Sequence, residues 1–164
     1  MPPSNDGAAP DWAGTPAEAV VATVPFTIRR RVRWSDTDAA GVVYTARFFD
    51  YAIDAFRTFI GHLLEGPAQA RKTALGIALP MKAASAVFHR SLRPDEDFLV
   101  VVRVAALRER TFEIQVAGRT LGGAPCFDVT LTPICVAPAE RRAVPMPALL
   151  RARLAAAVTA PDGA

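Results

Sequence analysis

Between Thr45 and Leu64, Phe48, Ala52, Ala55, Phe56, Phe59 and Leu63 recur at three- and four-residue spacing, one apolar stripe on a helix of about five turns. Arg47, Asp50, Asp54 and Arg57 fall on the opposite face, where opposite charges three residues apart can pair. A stripe this wide and aromatic needs a large apolar surface to cover it, most simply a sheet. The flanking sequence supplies one. From Val24 onward Phe26, Ile28, Arg30, Val32 and Trp34 alternate with Thr27, Arg29, Arg31 and Arg33, the pattern of a half-buried strand with a basic outer face. Gly66-Pro67 stops the helix, residues 68–75 allow one further helical turn, and four strand-like segments follow at residues 77–91, 97–108, 110–121 and 124–136. Phe98, Val100, Val102 and Val104 alternate with Leu99, Val101 and Arg103, so that strand is apolar on both faces and central. Gly122-Gly123 marks a hairpin, and Pro133 marks an edge or a bulge. The expected class is α+β, one long helix against a five-stranded antiparallel sheet.

The 164 residues suit a single core. Residues 1–23, broken by Pro2, Pro3, Pro10 and Pro16, read as a flexible leader, residues 24–140 as the folded domain, and residues 141–164 as a helical extension and tail. Within that extension residues 147–158, with Arg151 and Arg153, form a short amphipathic helix suited to packing or an interface. No basic-then-apolar signal opens the chain, and no apolar run approaches the ~18 residues of a spanning helix, so cytoplasmic residence without a membrane partner is expected. A net charge of +3, with no aromatics among the arginines of the basic strand face, gives no nucleic-acid surface. Cys126 and Cys135 lie an odd number of residues apart on one expected strand, which points them to opposite faces and disfavours a disulfide. Clustered metal ligands are lacking, and no metal or separate cofactor is expected.

The chemistry concentrates between the first strand and the long helix. Asp36 and Asp38 end the strand, Gly41 turns the chain, and the helix starts at Tyr44 or Thr45. An acid is thereby set beside backbone N–H groups that a helix start leaves unsatisfied, where developing negative charge is stabilised. For an activated acyl group that combination suffices. A carboxylate of this pair acts on the carbonyl, and the N–H groups of Tyr44 and Thr45 supply the oxyanion donors. Asp36 is better suited to hydrogen-bonding the turn and fixing Asp38, and Gly41 to a backbone conformation that permits close approach of a ligand. His62 near the helix end and His89 far along a strand from the motif are poor bases for this site. The nucleophile elbow Gly-x-Ser-x-Gly, a P-loop and a dinucleotide-binding glycine fingerprint are all lacking.

The run Asp36-Thr37-Asp38-Ala39-Ala40-Gly41-Val42-Val43-Tyr44 resembles the signature of the 4-hydroxybenzoyl-CoA thioesterase family of the hotdog fold, and the resemblance extends over residues 24–136. It implies a sheet wrapped round the long helix and hydrolysis of an acyl-CoA thioester, with Asp38 acting on the thioester carbonyl as nucleophile or as general base for water. Asp36, Gly41, Val43 and Phe48 would meet the substrate. Arg108 and Arg110, at the junction of two strands, match a basic cluster that meets the coenzyme A phosphates, although Glu109 reverses the charge at one position. The resemblance also implies a homodimer, or a tetramer of two dimers, with sites at the subunit interface. Two alternatives stay open: a hotdog thioesterase acting on an acyl group carried by an acyl-carrier protein, and a non-catalytic hotdog protein that binds acyl-CoA. Tyr44, Phe48, Phe49 and Tyr51 crowd the first helical turns, which favours a flat aromatic or short acyl chain. In relatives that hydrolyse 4-hydroxybenzoyl-CoA a helix carboxylate recognises the ring hydroxyl; the matching position here is Ile53, with Asp54 one residue on and about 100° round the helix.

Overall fold

The apolar stripe becomes helix α1, Thr45–Leu63, in the computed structural model, which describes residues 16–158. Phe48, Ala52, Ala55, Phe56 and Phe59 are all buried along it, joined by Tyr51 and Ile60. Short helix α2, Ala68–Ala74, follows directly and packs on α1. The sheet that covers α1 is antiparallel, built from β1 (Glu18–Thr23), β2 (Phe26–Arg31), β3 (Met81–Phe88), β4 (Asp97–Leu107), β5 (Phe112–Thr120) and β6 (Pro125–Pro133), in the order β1-β2-β4-β5-β6-β3.

The sheet therefore has six strands where five were expected. The extra one is β1, which lies in what the sequence presented as leader. It pairs with β2 from Glu18↔Arg30 to Thr23↔Phe26, and Glu18 adds an ion pair of 3.0 Å to Arg30. Its apolar residues Val20 and Val21 stay about half exposed, as suits an edge strand. The rest of the expected leader, residues 1–15, lies outside the described residues, as do residues 159–164.

Strand β4 is central, flanked by β2 and β5. The outer arginines of β2 are not left to solvent: Arg29 and Arg31 both reach Asp97 on β4, Arg31 with Nε at 2.9 Å. The bond from Arg31, reinforced by Arg29, holds the Asp97 carboxyl below the ordinary carboxylate range. Trp34, expected on the inner face, is instead 82% exposed, because the strand ends at Arg31 and residues Trp34–Asp36 form one turn of 3-10 helix.

Two further expectations change. The segment 77–91 is regular only over β3, the second edge of the sheet, and the segment 124–136 divides into β6 and a two-residue strand, β7 (Val136–Ala137), paired with β8 (Arg142–Ala143). Cys126 and Cys135 thus do not share a strand; both are free and fully buried, and burial pushes the Cys135 thiol up to about 11. Pro133 does fall beside an irregularity, the register shift between Met81 and Ala83 of β3. The C-terminal helix α3, Ala148–Ala156, is a packing element that buries Leu150 and Leu154.

One cross-strand pair ties sheet to helix. Phe127 on β6 faces Gly118 on β5 and stacks within 5.1 Å of Phe48 from α1, with Phe98 at 6.2 Å. One edge of the ring covers Gly118, so a Cβ there would sit 2.1 Å from a ring carbon. Gly118→Ala must drive Phe127 into Phe48, and overpacking of this kind costs about 1–3 kcal/mol. The expected result is a Tm lower by roughly 3–10 °C, checked by calorimetry; an unchanged Tm would show that the ring has room to move.

Candidate active site

Residues 32–43 leave β2, fold over the end of the sheet and return to the start of α1. Local hydrogen bonds fix this path. Val32 N–H bonds the Glu96 carbonyl at 2.9 Å, Val43 N–H bonds the Leu92 carbonyl at 2.9 Å, and Thr37 and Val43 pair across the loop. Asp38 N–H meets the Val42 carbonyl at 3.0 Å and Gly41 N–H meets the Asp38 carbonyl at 2.9 Å, closing a turn over residues 38–41. Gly41 sits at φ +74°, the left-handed region that glycine enters without cost. A Cβ on Gly41 would meet nothing within 4 Å, so within one chain the glycine serves the backbone and no close approach is visible.

Asp36 and Asp38 have opposite environments. Asp36 is buried, and its Oδ2 accepts the Tyr51 hydroxyl at 2.8 Å and Arg33 N–H at 3.0 Å. Its Oδ1 faces Arg47 Nε at 3.2 Å. The Asp36 backbone carbonyl accepts Tyr44 N–H at 3.3 Å. Asp36 is thus the bond that holds the turn. Asp38 is exposed, and its Oδ1 accepts Ala40 N–H at 2.8 Å, an Asx turn that aims the carboxylate. Its second oxygen has no hydrogen-bond partner among the described residues.

The helix start divides the two expected donors. Tyr44 is the N-cap, and its N–H is already committed to Asp36. Thr45, the first helical residue, has no acceptor for its N–H among the described residues, as a first-turn donor should when no side chain caps it. Of the two expected donors, the Thr45 N–H is open and the Tyr44 N–H is bonded. The Tyr44 ring, 37% exposed, carries the Arg47 guanidinium at 5.5 Å.

Val43 and Phe48 are buried in the core, so they back the site and do not line an open cavity. Phe48 packs on Phe88 of β3 at 5.2 Å, which brings the motif to the open edge of the sheet, where Val87 and Phe88 remain 59% and 44% exposed. His89, one residue beyond, is therefore nearer the motif than its sequence position suggested. Its ring faces the outer side of the sheet, with Nε2 at 2.7 Å from Asp128, itself paired with Arg119 at 2.9 Å.

Arg108 and Arg110 are not brought to this site. They occupy the turn between β4 and β5, while the motif lies at the Asp97 end of β4. Ten strand steps of ~3.3 Å put the two about 30 Å apart within one chain. Arg151 from α3 donates to the carbonyls of Arg108 and Glu109 and braces that turn, a contact that helix periodicity gives no means of finding. A cavity of about 630 Å³ lies at the far end of α1, around His62 and Arg153, and no motif residue lines it.

An antiparallel sheet packed against one long helix is the architecture of the hotdog fold. Residues 32–154 match the model of the thioesterase-like superfamily. The chain belongs to that superfamily. Solved structures agree on the fold: a thioesterase superfamily protein from Jannaschia sp. CCS1 has a TM-score of 0.77 at 20% identity, covering 85% of this chain and 96% of that one. A 1,4-dihydroxy-2-naphthoyl-CoA thioesterase from Synechocystis gives 0.72 at 23% identity, over 79% of this chain and 95% of its own. A gentisyl-coenzyme A thioesterase gives 0.70 at 19%, over 78% and 98%. No curated protein matches the sequence. Among the described residues no helix is long and apolar enough to cross a membrane, and no cluster of side chains could hold a metal ion.

Proposed function

We propose that this protein hydrolyses a compact acyl-CoA thioester, aromatic or short-chain, to the free acid and coenzyme A, in the manner of the 4-hydroxybenzoyl-CoA thioesterases. The observation that carries the proposal is an exposed Asp38 carboxylate, held by Ala40 N–H, in the loop that leads directly into the open Thr45 N–H at the start of α1. The thioester oxygen accepts from Thr45 N–H, which stabilises the negative charge that forms there. Asp38 either attacks the carbonyl carbon, forming a mixed anhydride that water then hydrolyses to the free acid and the regenerated carboxylate, or takes a proton from attacking water; in both cases the C–S bond breaks and the thiolate of coenzyme A leaves and is protonated. Coenzyme A belongs to the substrate, and no other cofactor is called for. Arg108 and Arg110, too far from Asp38 in one chain, serve the phosphates from a second copy in a homodimer that continues the sheet across β3, or in a tetramer of two such dimers. Buried, unpaired Cys126 and Cys135 suit a cytoplasmic enzyme.

The acyl preference follows from the flank of α1. Asp54 faces β2, where Arg30 holds it at 3.5 Å while also pairing with Glu18. Ile53 is half-buried against the core. A phenolic hydroxyl placed there would find no free carboxylate and would lose a hydrogen bond at a cost of about 1–3 kcal/mol. Free-thiol release from a panel of acyl-CoAs tests both claims. Benzoyl-CoA should exceed 4-hydroxybenzoyl-CoA and a long-chain acyl-CoA in kcat/KM, by roughly tenfold. A tenfold advantage of the hydroxylated substrate would overturn the preference. Failure to release thiol from any acyl-CoA, with turnover of an acyl-carrier-protein thioester, would transfer the activity to that carrier; no turnover at all would leave a binding protein.

A further inference from the structure

Tyr51 is the group at the site that the sequence motif does not include. Its ring is completely buried, held by Phe98 at 5.2 Å, by the edge of Phe48 at 6.2 Å and by the Arg30 guanidinium at 4.7 Å over its face. The hydroxyl would be an orphan in that core without Asp36, and a buried donor lacking an acceptor is costly. Burial, with the Asp36 carboxylate beside it, raises the phenol well above its ordinary range, so the hydroxyl stays protonated and donates.

The bond spans the whole active loop. Asp36 stands before residues 37–44 and Tyr51 stands two turns into α1, so this 2.8 Å contact, alongside the Arg47 ion pair to Oδ1 at 3.2 Å, ties the 3-10 turn to the helix across everything between. The same Asp36 accepts Tyr44 N–H through its carbonyl at 3.3 Å, a long and therefore weak bond that depends on where Asp36 is held. We infer that the Tyr51 hydroxyl is a positioning group: by anchoring Asp36 it keeps Tyr44 N–H occupied and leaves Thr45 N–H as the open donor of the helix start. The kinetic consequence rests on the thioesterase reading above; the structural consequence does not.

Tyr51→Phe removes one O–H and leaves every ring contact in place. In the full-length protein kcat on an acyl-CoA substrate should fall about tenfold or more while KM stays within about twofold, the mark of an interaction that matters in the transition state. Amide hydrogen exchange by NMR should show Tyr44 exchanging at least about tenfold faster, with the Phe56 and Phe59 amides of α1 unchanged. A kcat within twofold of wild type would overturn the inference. So would acceleration of all three amides together, which describes general loosening and not a local anchor. Should the wild type hydrolyse no thioester, the thioesterase reading falls and the exchange pattern alone decides on the anchor. If Tyr51→Phe does not fold, Asp36→Asn, which keeps an acceptor for the hydroxyl but weakens the bonds it receives, must reproduce the selective loss at Tyr44.

Discussion

Asp38→Asn is expected to fold and assemble as the wild type and to lose about 1,000-fold or more of its turnover. The two halves of that expectation come from the two oxygens. Oδ1 makes the Asx turn with Ala40 N–H, and an amide oxygen accepts that bond equally well, so the loop keeps its shape. Oδ2 has no partner among the described residues, and the amide nitrogen that replaces it is neither a base nor a nucleophile. Circular dichroism and Tm should therefore match the wild type while thiol release collapses. A loss below tenfold, only ~1.4 kcal/mol, would remove Asp38 from the chemistry.

The second large effect concerns the arginines at the β4–β5 turn. Replacing Arg108 and Arg110 together by Ala should raise KM for a coenzyme A thioester by about 10- to 100-fold, with the gap narrowing in high salt. A pantetheine thioester of the same acid should hardly respond. Because the turn lies about 30 Å from Asp38 within one chain, this prediction has a geometric sequel. Neither the Asp38→Asn subunit nor the doubly substituted arginine subunit makes a good site by itself. Mixed by co-refolding, they should recover about a quarter of wild-type activity at limiting substrate, since half the dimers are mixed and each holds one intact site. No recovery on mixing would place the carboxylate and the phosphate contacts in the same chain, and equal loss on both thiols would make the arginines structural.

The parts of the molecule that were legible in the sequence are those governed by local periodicity and backbone chemistry. The α1 stripe, the two-faced apolar alternation of β4, the glycine hairpin after β5 and the left-handed turn at Gly41 each depend on residues within a few positions of one another. Strand β1 escaped because Val20 and Val21 are its only large apolar residues and lie in a run of prolines and small residues; only pairing with β2 makes it a strand. Trp34 was misplaced because alternation carries no signal for where a strand stops.

At the site, the motif residues alone determined that two carboxylates and the first backbone donors of α1 share one loop and helix start, since chain connectivity forces that neighbourhood. Tertiary structure decided what those groups do there. It buried Asp36 under Tyr51, fifteen residues away, leaving Asp38 exposed; it spent Tyr44 N–H on the Asp36 carbonyl and left Thr45 N–H open. It also set Arg108 and Arg110 at the far end of the sheet, a separation fixed by strand length that no motif records. Burial and hydrogen-bond partnership are properties of what packs around a group, so two aspartates two residues apart acquire opposite roles only once the helix has closed over one of them.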